Sequence, residues 1–331
     1  MDREELLSLL INADRPISGE AMSEKLGVSR TAVWKAIEEL RAEGYEISSA
    51  PRRGYSLKSS PDVLSEAEIR NKIRDCSKLG SSIMILDEVD STNTECKRQA
   101  NAGAAEGLVV TSEYQSGGRG RRGHGFLSPK GKGIYLSVLL RPELPPQETV
   151  GITAWIAVAM CDAVEEAYGV RPGIKWTNDL VLGGRKLCGI LTEMEVEAES
   201  RALRFLIPGI GINCNHQPED FSEDIRDFAG SIAMHLGHPV HRADLVASMI
   251  RALDRMYAAF PEGKQEYLEK YRKDCVTIGR DVKLISLDGT VEEAFAENVA
   301  DDFSLVVRLK DGSHKNVNTG DVSVRGLWGY V

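Results

Sequence analysis

The chain has 331 residues, 42% hydrophobic and 27% charged, which predicts two or three domains with ordinary cores. Its net charge of −9 argues against a protein that coats nucleic acid indiscriminately, but leaves room for a small DNA-reading surface. Six scattered cysteines, none in a CxxC pair, argue against zinc or redox motifs and predict the reduced thiols of a cytoplasmic protein.

Residues 1–60 read as three helices and a hairpin. An acidic start, Asp2-Arg3-Glu4-Glu5, is unlike a targeting segment. The first helix runs through Leu6, Leu9 and Leu10, and the second spans about 20–26 and ends at Gly27. Ser29 is placed to cap the third, where Val33, Ile37 and Leu40 recur at helical spacing and Gly44 supplies the stop. Strands at 46–49 and 55–57 flank Pro51-Arg52-Arg53-Gly54. This is a winged helix-turn-helix pattern. The DNA-binding candidates are Ser29, Arg30, Thr31, Trp34 and Lys35 on the third helix, for base edges, and Arg52 and Arg53 on the wing, for phosphates. Nine basic against ten acidic residues in this segment make its electrostatic attraction local rather than general.

A short linker at 61–64 leads into a mixed region. Strands are expected at 83–89, 108–114, 134–140, 180–182, 187–194 and 204–212, and helices at 93–102, 150–168, 243–259 and 262–273. The most apolar of these, 150–164, is too short for a bilayer and contains Asp162, so no membrane partner is expected. Gly183-Gly184 marks a hairpin, and hairpin-joined strands with helices grouped elsewhere indicate an α+β fold. His235, His238 and His241 are separated by Gly237 and Pro239, which favours a surface loop over a metal site. From about residue 277, short strands at 282–286, 291–299, 303–308 and 322–324 alternate with Asp-Gly and Thr-Gly turns, which suits a small β-barrel. The boundaries expected are 1–62, 63–276 and 277–331.

The densest chemical signal is Gly117-Gly118-Arg119-Gly120-Arg121-Arg122-Gly123-His124-Gly125. Arginines alternating with flexible backbone suit a loop that folds over an anion. Gly118, Gly120 and Gly123 match a dinucleotide-binding spacing, but the following residues are too rich in Gly, Ser and Pro to supply its helix. His124-Gly125 also stands where a P-loop needs Lys-Ser or Lys-Thr. A solvated basic loop remains the alternative to an anion site on this evidence alone. Thr92 and Glu95 have capping-box spacing at a helix start.

The loop sits within an ordered series. Asp90-Ser91-Thr92-Asn93 precedes it, with Gln115 immediately before the glycines. Lys175-Trp176-Thr177-Asn178-Asp179, then Arg185-Lys186-Leu187-Cys188-Gly189-Ile190-Leu191, then Gly209-Ile210-Gly211-Ile212-Asn213 follow. This series resembles the biotin protein ligase family, and the flanking regions resemble its longer, repressor-type members. The resemblance implies a winged helix-turn-helix, a mixed-sheet catalytic domain of the biotin/lipoate ligase type and an SH3-like C-terminal barrel.

It also implies roles. Ser91, Thr92, Asn93 and Gln115 would meet the biotin ureido ring, with Arg119, Gly120, Arg121, Lys186 and Gly189 completing the biotin site. Arg119, Arg121, Arg122, Lys175, Asn178, Asp179 and Asn213 would hold ATP or the adenylate. Lys186, Arg119 and Asp179 would act in catalysis. Magnesium would arrive with ATP rather than in a fixed protein cluster. The partners implied are the biotin carrier domain of a carboxylase, operator DNA and a second copy of the chain, favoured by biotinyl-5′-AMP. Thr177 departs from a frequent proline, and His124-Gly125-Phe126 from a basic-then-aromatic loop end, where Phe126 can still supply an apolar lid. A ligand-sensing transcription factor without ligase activity and a lipoate-type ligase are the competing functions.

Overall fold

The computed structural model describes residues 3–50, 53–123, 125–286, 288–318 and 322–326. They form two compact units: the chain up to Asp75 with His241–Ala247, and Cys76–Val240 with everything from Ser248 onward.

The first unit contains α1 (Arg3–Ile11), α2 (Gly19–Leu26), α3 (Arg30–Ala42), β1 (Glu46–Ala50), β2 (Gly54–Ser59) and α4 (Glu66–Lys72). Ser18 caps α2 by accepting the Ala21 N–H at 3.1 Å, and Gly27 ends it at φ 64°. Ser29 caps α3 by accepting the Ala32 N–H at 3.2 Å. The helical turn is therefore set by two serines and one glycine. Val33, Ile37 and Leu40 bury one face of α3 against Leu6, Leu7, Leu10 and Met22. β1 and β2 pair antiparallel, with Ala50 opposite Gly54.

Helix α4 was not among the expected elements. Its seven residues carry a single strongly apolar side chain, Ile69, too few to show a period. Glu4 on α1 holds it by accepting the Ser65 hydroxyl at 2.9 Å and the Ala67 N–H at 2.8 Å. Residues 63–75 thus belong to the first unit, not to the catalytic region in which the sequence placed them.

The second unit is built on β3 (Ser82–Leu86), β4 (Leu108–Ser112), β5 (Gly133–Val138), β6 (Gly173–Lys175), β7 (Asp179–Leu182), β8 (Arg185–Val196) and β9 (Leu203–Asn213). Their order is β3-β4-β5-β9-β8-β7-β6, parallel only between β3 and β4. The helices are α5 (Thr92–Asn101), α6 (Ile152–Tyr168), α7 (Ile232–Leu236), α8 (Arg242–Ala259) and α9 (Lys264–Asp274), the first turn of α8 being counted with the first unit. α6 packs on α9 through Trp155, whose ring stacks on Tyr267 at 4.2 Å. Both β6 and α7 were missed: each is five residues or fewer and has no legible period.

Five further strands, β10 (Arg280–Ser286), β11 (Val291–Val299), β12 (Leu305–Leu309), β13 (His314–Val317) and β14 (Val322–Gly326), form an antiparallel sheet in the order β13-β12-β11-β10-β14. It lies in the same compact unit as the central sheet. The Trp176 indole donates to the Phe303 carbonyl at 2.9 Å, and the Tyr271 ring meets Phe303 edge-on. The expected Thr319-Gly320 turn falls outside the described residues.

His216 gives this unit a pH dependence. It is fully buried, its ring stacked on Phe221, and burial pushes its pKa down from 6.5 to about 4. Between those values the unfolded chain binds a proton that the folded chain refuses, so stability falls as pH drops from 6.5 toward 4. The expected slope is up to about 1.4 kcal/mol per pH unit. Unfolding midpoints at pH 7.5 and pH 5 should differ less in His216→Phe than in the parent; equal differences would remove His216 as the cause.

Candidate functional site

One face of the central sheet is interrupted by glycines at its centre. Lys175, Asp179, Gly189, Gly211, Tyr135 and Ser112 stand opposite one another across β6, β7, β8, β9, β5 and β4. The next row on that face contains Leu191, Gly209 and Ser137. Glycines at 189, 209 and 211 therefore leave a trough in the middle of an otherwise side-chain-covered sheet. A Cβ at Gly209 would lie 2.0 Å from Asn93 Oδ1, and one at Gly211 would lie 2.5 Å from the Phe126 ring. Above the trough is a cavity of about 880 Å³.

The neutral end of this cavity is made by the start of α5 and the end of the strand-to-loop segment at Gln115. Ser91 is the N-cap residue and its side chain makes no capping hydrogen bond. Thr92, the first helical residue, donates both its N–H (2.9 Å) and its hydroxyl (3.1 Å) to Gln115 Oε1. The capping box expected from Thr92 and Glu95 is not formed. Glu95 instead pairs with Arg98 at 2.9 Å and accepts from Gln99 at 2.7 Å. Gln115 Nε2 donates to Ser128 Oγ at 2.9 Å. Asn93 is held from both sides: Nδ2 donates to Glu193 Oε2 at 2.7 Å and the Leu191 carbonyl at 3.3 Å, while the Ser137 hydroxyl lies 2.6 Å from Oδ1.

The rest of the lining is cationic, with one of its cations, Arg119, at the α5 end beside Thr94 and Glu193. Arg119, Arg121, Lys175 and Lys186 line the cavity, against two carboxylates, Asp179 and Asp224. Lys186 and Asp179 pair at 2.8 Å across the β7–β8 hairpin, whose turn is Gly183 and Gly184, both at positive φ. Arg121 donates to Asn178 Oδ1 at 2.9 Å and Thr177 Oγ1 at 3.3 Å. Arg119 donates to Thr94 Oγ1 at 2.8 Å. Gly120 and Gly189 also line the space, and Phe126 sits against the glycine floor, edge-on to Tyr135 at 6.4 Å. After β4 the loop continues into a single 3₁₀ turn at Arg121–Gly123, without the helix a dinucleotide site requires. Cys188 points to the opposite face and is fully buried, and burial pushes its thiol up, so it offers no thiolate nucleophile.

One expected position differs. Asn213 does not line the cavity: it is buried, and its Nδ2 donates to the Gly230 carbonyl at 3.0 Å. The side chain of Arg122, with His124, lies outside the described residues. The sequence reading missed the apolar rim formed by Ile225 and Phe228 and by Ile285 and Val324 of the C-terminal sheet. It also missed Ser137 and Glu193 behind Asn93. The two-residue spacing of Gly209 and Gly211 was the available signal, since it clears one face of a strand.

In the first unit, Arg30, Thr31, Trp34 and Lys35 are exposed on α3, Trp34 by 55%. Arg30 pairs with Glu20 and Lys35 with Glu39. The Ser29 hydroxyl oxygen accepts the capping N–H. Arg53 is exposed, and Arg52 lies outside the described residues. Among the described residues no group of three or more His, Cys, Asp or Glu side chains is arranged to hold a metal ion, and no helix is long and apolar enough to cross a membrane.

A glycine-floored cavity lined by neutral polar groups and four cations, on this mixed sheet, suits a ligase that activates a carboxylate. The biotin/lipoate A/B protein ligase family model matches residues 86–213, an HTH domain model residues 2–56, and a biotin protein ligase C-terminal domain model residues 277–325. A bifunctional ligase/repressor BirA of Bacillus subtilis is 36% identical over 97% of this chain and 98% of its own length. That of Escherichia coli is 32% identical over 97% and 96%. The biotin protein ligase of Aquifex aeolicus, solved with biotin and ATP, shares the fold at a TM-score of 0.63 and 24% identity, covering 74% of this chain and 99% of that one. The chain belongs to the bifunctional ligase/repressor family of biotin protein ligases.

Proposed function

We propose that the cavity binds biotin and ATP, joins them as biotinyl-5′-adenylate with release of pyrophosphate, and passes the biotinyl group to a lysine of a carboxylase's carrier domain, releasing AMP. The single observation that carries this reading is a glycine-floored cavity lined both by four cations, Arg119, Arg121, Lys175 and Lys186, and by the neutral hydrogen-bonding groups of Thr92, Asn93 and Gln115. A carboxylate and a triphosphate repel each other, and cations fixed between them reduce that repulsion and stabilise charge developing on the α-phosphate and its leaving group. Thr92, Asn93 and Gln115 suit the carbonyl and two N–H groups of a cyclic urea.

Lys186 would bridge the biotin carboxylate and the α-phosphate. Arg119 and Arg121 would close over the adenylate and keep water from the mixed anhydride, with Phe126 as an apolar cover. Lys175, Asn178 and Asp179 would position ATP and the acceptor amine. Of the two cavity carboxylates, Asp179 and Asp224, Asp179 would help hold a magnesium ion that arrives with the phosphates and neutralises their charge. The rest of the work is positioning and charge stabilisation, with no enzyme nucleophile. Incubation with ATP, a carrier domain, and either biotin or lipoate tests this. Mass gain with biotin is expected; mass gain with lipoate alone, or none, would overturn it.

The first unit would bind operator DNA with α3 in the major groove and the wing on the backbone. A two-fold operator requires two copies, and the adenylate would favour their association. Arg30→Ala should weaken binding to DNA from upstream of this gene by about tenfold while biotinylation continues unchanged. Unaltered affinity in a gel-shift titration would remove Arg30 from the reading surface.

A further inference from the structure

Thr177 stands among four residues that line the cavity, Lys175, Trp176, Asn178 and Asp179, without lining it itself. The backbone around it is fixed. The hydroxyl of the fully buried Tyr271 donates to the Thr177 carbonyl at 3.2 Å, and the Trp176 N–H donates to Thr277 Oγ1 at 2.9 Å. The Ile190 N–H donates to the Asn178 carbonyl at 3.0 Å, and Asn178 Nδ2 donates to the Ile190 carbonyl at 3.0 Å. Two acceptors on this rigid stretch meet the glycine–arginine loop. One terminal nitrogen of Arg121 donates to Asn178 Oδ1 at 2.9 Å and to Thr177 Oγ1 at 3.3 Å. That nitrogen carries two N–H groups, both in the guanidinium plane, so two acceptors fix the plane where one would let it turn. Neither acceptor is charged, so neither cancels the charge of the guanidinium. A proline, frequent at this position in the family, has no side-chain oxygen to offer.

We propose that the Thr177 hydroxyl is a positioning group for Arg121: it fixes the guanidinium plane at the cavity and so lengthens the time that an acyl-adenylate stays bound. This rests on the ligase reading of the cavity. Removing one hydrogen bond to a charged group, of this length, should shorten that time about tenfold.

The test follows the bound adenylate directly. Full-length protein is loaded with biotin and ATP labelled at the α-phosphate, with pyrophosphatase present to prevent reversal. Loss of label from the protein is then timed after a chase of unlabelled biotin and ATP. Thr177→Val removes the acceptor but keeps the branched shape, and should shorten the lifetime about tenfold. Thr177→Ser keeps the acceptor and should restore most of it. The decisive comparison is made in Arg121→Ala, where the acceptor has lost its donor. There Thr177→Val should change the lifetime by less than about twofold. Thr177→Ala is the second variant, in case valine disturbs folding, with the same expected pattern. Equal shortening with and without Arg121 would show a structural role only and overturn the proposal. An unchanged lifetime in Val and Ala, or no recovery in Ser, would also overturn it. A parent that forms no biotinyl-adenylate would overturn the ligase reading itself.

Discussion

Replacing Lys186 with alanine is expected to slow biotin-dependent exchange of pyrophosphate into ATP by about 10²–10³, the usual cost of removing one fixed charge from a transition state. Lys186 lies at the start of β8, one residue after Arg185 leaves the glycine turn, and its ammonium is 2.8 Å from Asp179. Its placement depends on backbone rather than on side-chain packing: the Lys186 N–H donates to the Phe228 carbonyl at 2.6 Å, and its own carbonyl accepts from Gly230. Alanine keeps both of those bonds. The fold should therefore survive, with thermal unfolding shifted only by the loss of a partly exposed ion pair, about 1 kcal/mol or less. The effect should fall mainly on kcat, because the charge matters most as pyrophosphate departs. Lys186→Arg should recover little, since a planar guanidinium cannot occupy the position of a compact ammonium. Normal turnover in Lys186→Ala would remove this residue from the mechanism.

Gly209→Val should cost about a hundredfold in biotin affinity while leaving the sheet formed. The argument is steric. Gly209 is in a central strand at ordinary extended geometry, so valine suits its backbone and its strand propensity. The new Cβ would nevertheless lie 2.0 Å from Asn93 Oδ1 and 2.7 Å from its Cγ. Asn93 cannot swing aside without losing Glu193, Leu191 or Ser137, each a buried or half-buried hydrogen bond. Loss of two such bonds, with filling of the trough, amounts to about 2–3 kcal/mol. Calorimetric titration with biotin, beside far-UV circular dichroism to verify the sheet, measures both halves. Unchanged biotin affinity in a folded variant would mean that the ligand does not lie over this floor.

Of the two boundaries drawn from the sequence, the one at 62/63 followed composition where contacts were decisive. The break at Pro61 is real as local chemistry, yet α4 turns back to Glu4, because a carboxylate on α1 accepts the Ala67 N–H in the first turn of α4 and the hydroxyl of its cap, Ser65. The C-terminal strands were legible from turn spacing, but their union with the central sheet depends on Trp176, Phe303 and Tyr271, which lie far apart in the chain.

Local chemistry was enough for the rest. Periodicity in Val33, Ile37 and Leu40, with Ser29 and Gly27 as punctuation, determined the helix-turn-helix, because capping and amphipathic burial act within a few residues. The order of the short motifs determined the family, and most of the residues they contain line one cavity. Only the tertiary structure decided how Asn93 is held, that Thr92 serves Gln115 rather than a cap, and that Asn213 turns to Gly230 instead of the cavity. Those outcomes are set by partners up to a hundred residues away, and hydrogen-bond polarity between such partners exists only once strands have paired and brought them within 3 Å.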